Sequence, residues 1–228
     1  MIYENKFGKV DILPDPDFWD GHIIGIAMSG GADSLMLCYL VANTIKKLKL
    51  NSSIQPYNGY DIHVPHDSNA AVKTLPTLIR KFPTVDIKWP ISTVFNSNGE
   101  DNKMDYITKL RKALAGATFT RHITGITLGP PYKVQNSWPK TVSNQRIRRI
   151  PNYMSESESA WDDWPLETTP FKNIDKRFVI QCYKDFKQMK LFHQTVSCTT
   201  PTNGNKPCGK CWWDYEREWA LNEVQKRL

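Results

Sequence analysis

Ser29-Gly30-Gly31-Ala32-Asp33-Ser34 places two adjacent glycines between hydroxyl and carboxylate side chains. Paired glycines let a backbone turn sharply and approach an anion, because no Cβ blocks either the turn or the ligand. HIIGIAM (residues 22–28) reads as a short buried strand, and the segment from Asp33 to Leu50 reads as a helix. A loop at such a junction aims amide groups and the positive end of a helix dipole at one point, an arrangement suited to phosphate. Ser29, Gly30, Gly31, Ala32, Asp33 and Ser34 are therefore a candidate phosphate-binding run, in which Ser29, Asp33 and Ser34 carry the side chains able to do chemistry. A strand-to-helix turn capped by Ser29 or Asp33 is the bland alternative.

The second cluster is Cys198, Cys208 and Cys211 in SCTTPTNGNKPCGKCWW. Cys208-Gly209-Lys210-Cys211 is a CxxC whose glycine favours a tight metal knuckle, and a closed zinc site wants four thiolate or imidazole ligands. Three cysteines leave the fourth position of such a site open. Cys38 falls in the apolar helix and reads as a buried small hydrophobe.

The elements that must position these groups alternate. Strands are expected at 22–28, 60–64, 85–91 and 121–126, and helices at 33–50, from His66-Asp67-Ser68 toward Phe82 with a kink or break at Pro76, and at 101–117. That order predicts a doubly wound, Rossmann-like α/β domain over residues 1–130, with ligands at the carboxyl ends of its parallel strands. Residues 131–228 are expected to pack as one unit: a loop-rich, proline-rich stretch from 129 to 171, a helix over 173–191, the cysteines, and a terminal helix over 212–228.

Together these stretches carry a resemblance. SGGADS is similar to the SGGxDS loop of the PP-loop ATP pyrophosphatases, the adenine nucleotide alpha hydrolase-like fold. The C-terminal stretch resembles the 7-cyano-7-deazaguanine synthase family of queuosine biosynthesis: Pro170-Phe171-Lys172 with Lys176, Thr195-Val196-Ser197-Cys198, Pro207-Cys208-Gly209-Lys210-Cys211 and Glu216-Arg217. The likeness implies an ATP-dependent carbon–nitrogen ligase using ATP, Mg²⁺ and a structural Zn²⁺. It implies cleavage between the α and β phosphates, adenylation of a deazapurine carboxylate, and displacement of AMP by ammonia. It also implies that Asp33 holds Mg²⁺ or orders the loop, that Gly125 lies near the nucleotide, and that Lys172 or Lys176 contacts phosphate or an acyl adenylate, an exposed helix start being the alternative.

The chain departs from that family at two places. The family continues CGxCxxC, where this chain has Asp214, which makes Asp214 the candidate fourth zinc ligand, with His193 and Cys182 as rivals and a degenerate, metal-free site as the alternative. It also carries a YPDCR-like segment after the strand ending at Gly125, where this chain has Ile126-Thr127-Leu128-Gly129-Pro130-Pro131-Tyr132. The acceptor therefore stays open between a small carboxylate, a tRNA or protein acted on by ligation or thiolation, and no acceptor at all in a regulatory subunit.

Other residues divide between chemistry and structure. His63 and His66 could face a nucleotide but read more readily as surface or capping groups at a strand end, whereas His22 and His122 sit near strand starts and read as structural. Trp161, Trp164, Trp212 and Trp213 could stack on a base or simply pack. Arg146-Ile147-Arg148-Arg149 could grip phosphate or lie solvated.

With 228 residues, 40% hydrophobic and 23% charged, the composition is that of a globular chain. The net charge of +7 admits nucleic acid without favouring it, and a homodimer is allowed. No apolar run of membrane-spanning length and no signal-peptide core is present, so a cytoplasmic location is expected. Five cysteines, three of them crowded together, fit a metal cluster better than a disulfide framework.

Overall fold

The computed structural model describes residues 1–61, 66–95, 114, 118–143, 167–197 and 208–226. A hairpin that the sequence reading did not anticipate comes first: β1 (Ile2–Asn5) pairs antiparallel with β2 (Gly8–Asp11). A single-turn helix α1 (Pro16–Trp19) buries Trp19 and leads into β3 (Ile23–Ala27). Then come α2 (Ala32–Leu48), β4 (Ser53–Asp61), α3 (His66–Lys81), β5 (Ile91–Phe95) and β6 (Arg121–Ile123). The short helices α4 (Tyr132–Gln135) and α5 (Lys140–Ser143) and the two-residue β7 (Glu167–Thr168) interrupt the expected loop. The chain ends with α6 (Lys176–Asp185), α7 (Met189–Phe192) and α8 (Trp212–Gln225).

Five strands form one parallel sheet in the order β5-β4-β3-β6-β7. The chain steps outward from β3 to β5 and then returns to the other side of β3 as β6. The order therefore reverses between β3 and β6, and the carboxyl ends of those two strands flank the crevice where doubly wound sheets take ligands. The expected α/β architecture is present.

Several boundaries differ from the sequence reading. β4 begins at Ser53, not Tyr60, because its serine, proline, asparagine and glycine read as turn formers while burial between two neighbours makes them a strand. Pro56 fits because its missing donor faces a stretch where the neighbouring chain is not yet paired. Ile54 exchanges bonds with Asp86 and Lys88 on that side, and the Gln55 side-chain amide then donates to both Pro56 and Trp89 carbonyls at 2.9 Å. The expected strand at 85–91 is reduced to an Ile54–Ile87 bridge, and β5 starts at Ile91 after Pro90. α3 begins at His66 itself and continues through Pro76 without a break. The helix expected over 173–191 is split into α6 and α7, with Lys187 left-handed at φ 56° in the join. The helix expected over 101–117 lies outside the described residues except at Leu114.

α2 is buried nearly all round, as its apolar sequence requires. One face lies on the sheet and another meets α6, whose Phe178, Val179 and Tyr183 join Leu35, Met36 and Leu40 in the core. Trp212 packs edge-on to Trp138 at 4.8 Å.

Candidate functional site

β3 ends inside the sheet and α2 starts without a side-chain cap at Gly31, so the first-turn amides of that helix face the crevice. Gly30 turns the chain with φ 82°, a left-handed conformation that favours glycine. The turn brings Ser29 Oγ within 3.3 Å of Ser34 Oγ and 3.4 Å of the Gly31 amide, while the Ser34 hydroxyl donates to the Gly31 carbonyl at 3.2 Å. Ser29 is exposed and Ser34 buried, so one hydroxyl is presented and the other braces the turn. Gly125, just beyond β6, closes the opposite wall: a Cβ there would stand 3.2 Å from the Asp33 carbonyl oxygen and 3.4 Å from Ser34 Cα. The structure thus gathers Ser29, Gly30, Gly31, Ala32, Asp33, Ser34 and Gly125 at the switch point.

Behind the loop lies a charged assembly that sequence reasoning did not foresee. Lys176, at the first position of α6, is 2% exposed, and its ammonium lies 3.0 Å from Asp33 Oδ2 and 3.0 Å from Glu216 Oε2. Burial opposes the charge on Lys176, but the two carboxylates outweigh it and hold the ammonium above the ordinary lysine range. Lys176 is therefore neither an exposed helix start nor a free phosphate contact; it is a buried clamp on the loop carboxylate. Lys172 is exposed.

Two further contacts fix the loop. The Tyr183 hydroxyl, kept protonated by burial, donates to the Ala32 carbonyl at 2.9 Å. The Val196 amide donates to the Gly30 carbonyl at 3.0 Å. Val196 is held in turn by Arg217, which donates to the Thr195 carbonyl at 3.1 Å, the Thr195 hydroxyl at 2.6 Å and the Phe192 carbonyl at 2.8 Å. Burial pulls the Arg217 guanidinium below its usual range, and its cation lies 4.0 Å over the Phe192 ring.

The cysteine segment meets the same wall. Cys211 is the N-cap residue of α8, and Val196, Ala70 and Cys211 form a small apolar cluster to which Cys208 and Trp213 add. One ligand atom each from Cys208, Cys211 and Asp214 lies within 4.8 Å of the others. Two thiolates bound to one tetrahedral zinc would sit about 3.7 Å apart, given Zn–S bonds of about 2.3 Å, so the donor set fits a metal. Asp214 is 6% exposed and also accepts from the Gly209 amide at 3.0 Å, which closes the CxxC turn.

The rival ligands stand elsewhere. Cys182 lies against β1, accepting from Asn5 Nδ2 at 3.5 Å. His193 is outside the gathered donors and borders a neighbouring cavity of about 360 Å³, together with Ser197, Asp214 and Arg217.

Cys198, Arg146 to Arg149, Trp161, Trp164 and His63 lie outside the described residues, as does the side chain of His66. His22 bonds Thr120 and Arg121 at the amino end of β3, and His122 pairs with Tyr57 in the interior, both away from the crevice. Asn58, 4% exposed on β4 just past its last pairing with β3, has neither polar side-chain atom bonded among the described residues. Its setting amid turn-forming residues hid it from sequence reasoning.

No family model and no curated protein matches the sequence. Among solved structures, the chain is similar to the U34-tRNA thiolase NcsA from Methanococcus maripaludis with its 4Fe–4S cluster, at a TM-score of 0.50 and 11% identity. The match covers 90% of this chain, which spans 66% of the length of that one. At that identity the likeness concerns architecture alone. The chain shares the parallel-sheet α/β architecture of that structure.

Proposed function

We propose that this protein is an enzyme that binds ATP at Ser29–Ser34 and transfers AMP to an acceptor oxygen, releasing pyrophosphate. The observation that carries the reading is the SGGADS turn at the uncapped start of α2, opposite Gly125 at the reversal point of the sheet. An acceptor oxygen would attack the α-phosphorus while the α–β anhydride bond breaks and pyrophosphate takes the bonding pair. The first-turn amides and the Ser29 hydroxyl are aimed where negative charge grows on that leaving group. Magnesium, when bound with ATP, would neutralise phosphate charge. Asp33, paired with Lys176, acts in this reading by ordering the loop.

For the acceptor, the C-terminal motifs favour a carboxylate of the 7-carboxy-7-deazaguanine kind: ammonia would displace AMP from its acyl adenylate to give the amide, and adenylation of the amide oxygen by a second ATP, with loss of a proton and AMP, would give the nitrile. A second acceptor, a tRNA base undergoing thiolation, is favoured by the fold shared with a tRNA thiolase. Cys208, Cys211 and Asp214, with Cys198, would hold zinc in the first reading and a metal or iron–sulfur centre in the second; such a centre supplies a structural knot or a sulfur carrier, respectively.

Incubation with ATP, Mg²⁺, ammonium and 7-carboxy-7-deazaguanine should yield pyrophosphate, AMP and, by mass, the nitrile. AMP formed without nitrile keeps the ATP chemistry and rejects that acceptor, after which tRNA with a sulfide source is the next substrate. Ser29→Ala and Asp33→Asn should abolish pyrophosphate release, and release at the wild-type rate would reject the site.

A further inference from the structure

The metal-ligand cluster and the nucleotide loop are joined by one helix. α8 starts at Cys211, carries Asp214 in its first turn, and then presents Glu216 and Arg217. Glu216, fully buried, reaches the loop through Lys176 to Asp33, each link 3.0 Å long. Arg217 reaches it through the Thr195 carbonyl and then the Val196 amide on Gly30. Val196 also packs against Cys211, so the second route returns to the ligand cluster itself.

We propose that metal binding at Cys208, Cys211 and Asp214 is coupled to ATP binding at Ser29–Ser34, with Glu216, Lys176 and Arg217 as the positioning residues. The inference rests on the loop being a nucleotide site. A metal fixes the first turn of α8 and hence where Glu216 and Arg217 sit. Lys176 and Glu216 are shut away from water, so solvent cannot fill a gap if Glu216 shifts; Asp33 follows or loses its partner. The Gly30 carbonyl is fixed by Val196 in the same way. Glu216, Lys176 and Arg217 themselves lie outside the loop and act on it through Asp33 and Gly30. The loop is thus set in its anion-binding shape most fully when the cysteine cluster is filled.

Linkage requires the effect to be reciprocal. The test is equilibrium binding of ATP with Mg²⁺ to the full chain, stripped by chelator and then reconstituted with zinc, together with zinc binding measured with and without ATP. Zinc should tighten ATP binding at least about fivefold, the lower end of ordinary coupling, and ATP should tighten zinc by the same factor. Glu216→Gln keeps the side chain's size and removes its charge; it should bind zinc as the wild type does while the coupling falls below about twofold.

ATP binding that is unchanged by zinc overturns the coupling and leaves the nucleotide reading intact. Absence of ATP binding in both forms overturns both. Failure to retain zinc, or full coupling in a folded Glu216→Gln protein, overturns the proposed route. If circular dichroism shows that Glu216→Gln does not fold, the reciprocal wild-type measurement still decides the coupling.

Discussion

Replacing Gly125 with alanine should slow pyrophosphate release several-fold while leaving the protein folded. Gly125 is not among the left-handed glycines, so an alanine can adopt its backbone. The added methyl would meet the Asp33 carbonyl oxygen at 3.2 Å, its carbon at 3.3 Å and Ser34 Cα at 3.4 Å. All three are backbone atoms and cannot rotate aside. Restoring ordinary separations of about 3.5 Å or more requires the loop to move by about 0.2–0.5 Å. A displacement of about 1 Å at a reacting centre costs on the order of a hundredfold in rate. Scaled to this shift, the loss is about 0.5–1.4 kcal/mol, or roughly two- to tenfold.

A companion glycine separates this effect from simple loss of stability. At Gly25, in the middle of β3, a Cβ would stand 2.7 Å from the Phe119 ring. Gly25→Ala should therefore cost about 1–3 kcal/mol of stability by overpacking. In a chain of this size that is roughly 2–4 °C in Tm per kcal/mol. The two variants are compared by coupled pyrophosphate assay and by calorimetry: Gly125→Ala should lose rate with little change in Tm, and Gly25→Ala should lose Tm with little change in rate below its transition. Wild-type rate in a folded Gly125→Ala protein would refute the dependence of the reaction on the loop's packing against Gly125.

Lys176→Met should destabilise the protein by about 3–5 kcal/mol in urea titrations, because it strands two carboxylates around a buried site; a loss below about 1 kcal/mol would place the ion pairs at the level of exposed surface pairs. Burial pushes the Cys38 and Cys182 thiols up to about 12, so both should resist iodoacetamide in the folded protein at pH 8–9 while partly exposed Cys208 reacts in metal-free protein. These raised thiols bind protons more tightly when folded, so their contribution to stability is complete below the unfolded pKa of about 8.5 and is lost as pH rises toward 12; urea midpoints that increased over that range would contradict it. Asp214→Cys should tighten zinc binding in competition with a chromophoric chelator, since a thiolate is a softer donor than a carboxylate; weaker binding would make the Asp214 bond to Gly209 the more important role.

The parts of this molecule that were legible in the sequence are the local ones. SGGADS declares itself because its glycines, its hydroxyls and the following helix occupy consecutive positions, and the CxxC does so for the same reason. β4 was misread because Ser53, Pro56, Asn58 and Gly59 are turn formers by intrinsic preference. Their central place in the sheet, with Gln55 bridging at Pro56, overrides that preference. β7 is two residues long and exists because His122 and Ile123 offer it an edge, which no window of the sequence encodes.

The charged assembly shows the same limit more sharply. Lys176 and Glu216 lie on helices whose patterns read as ordinary amphipathic faces, and a charge there is solvated far more often than buried. Only tertiary packing sets them 3.0 Å apart behind the loop. Asp33 likewise carries two readings in sequence, as a cation ligand or as a loop brace, and its neighbour Lys176 separates them. A magnesium ion drawn to that carboxylate would have to compete with an ammonium already in place, at a site where like charges repel. In the proposed reading, the phosphates of bound ATP would offer a cation several oxygens without that competition, and the same lysine would turn Asp33 toward shaping the loop, which its ion pairs tie back to Glu216 on α8.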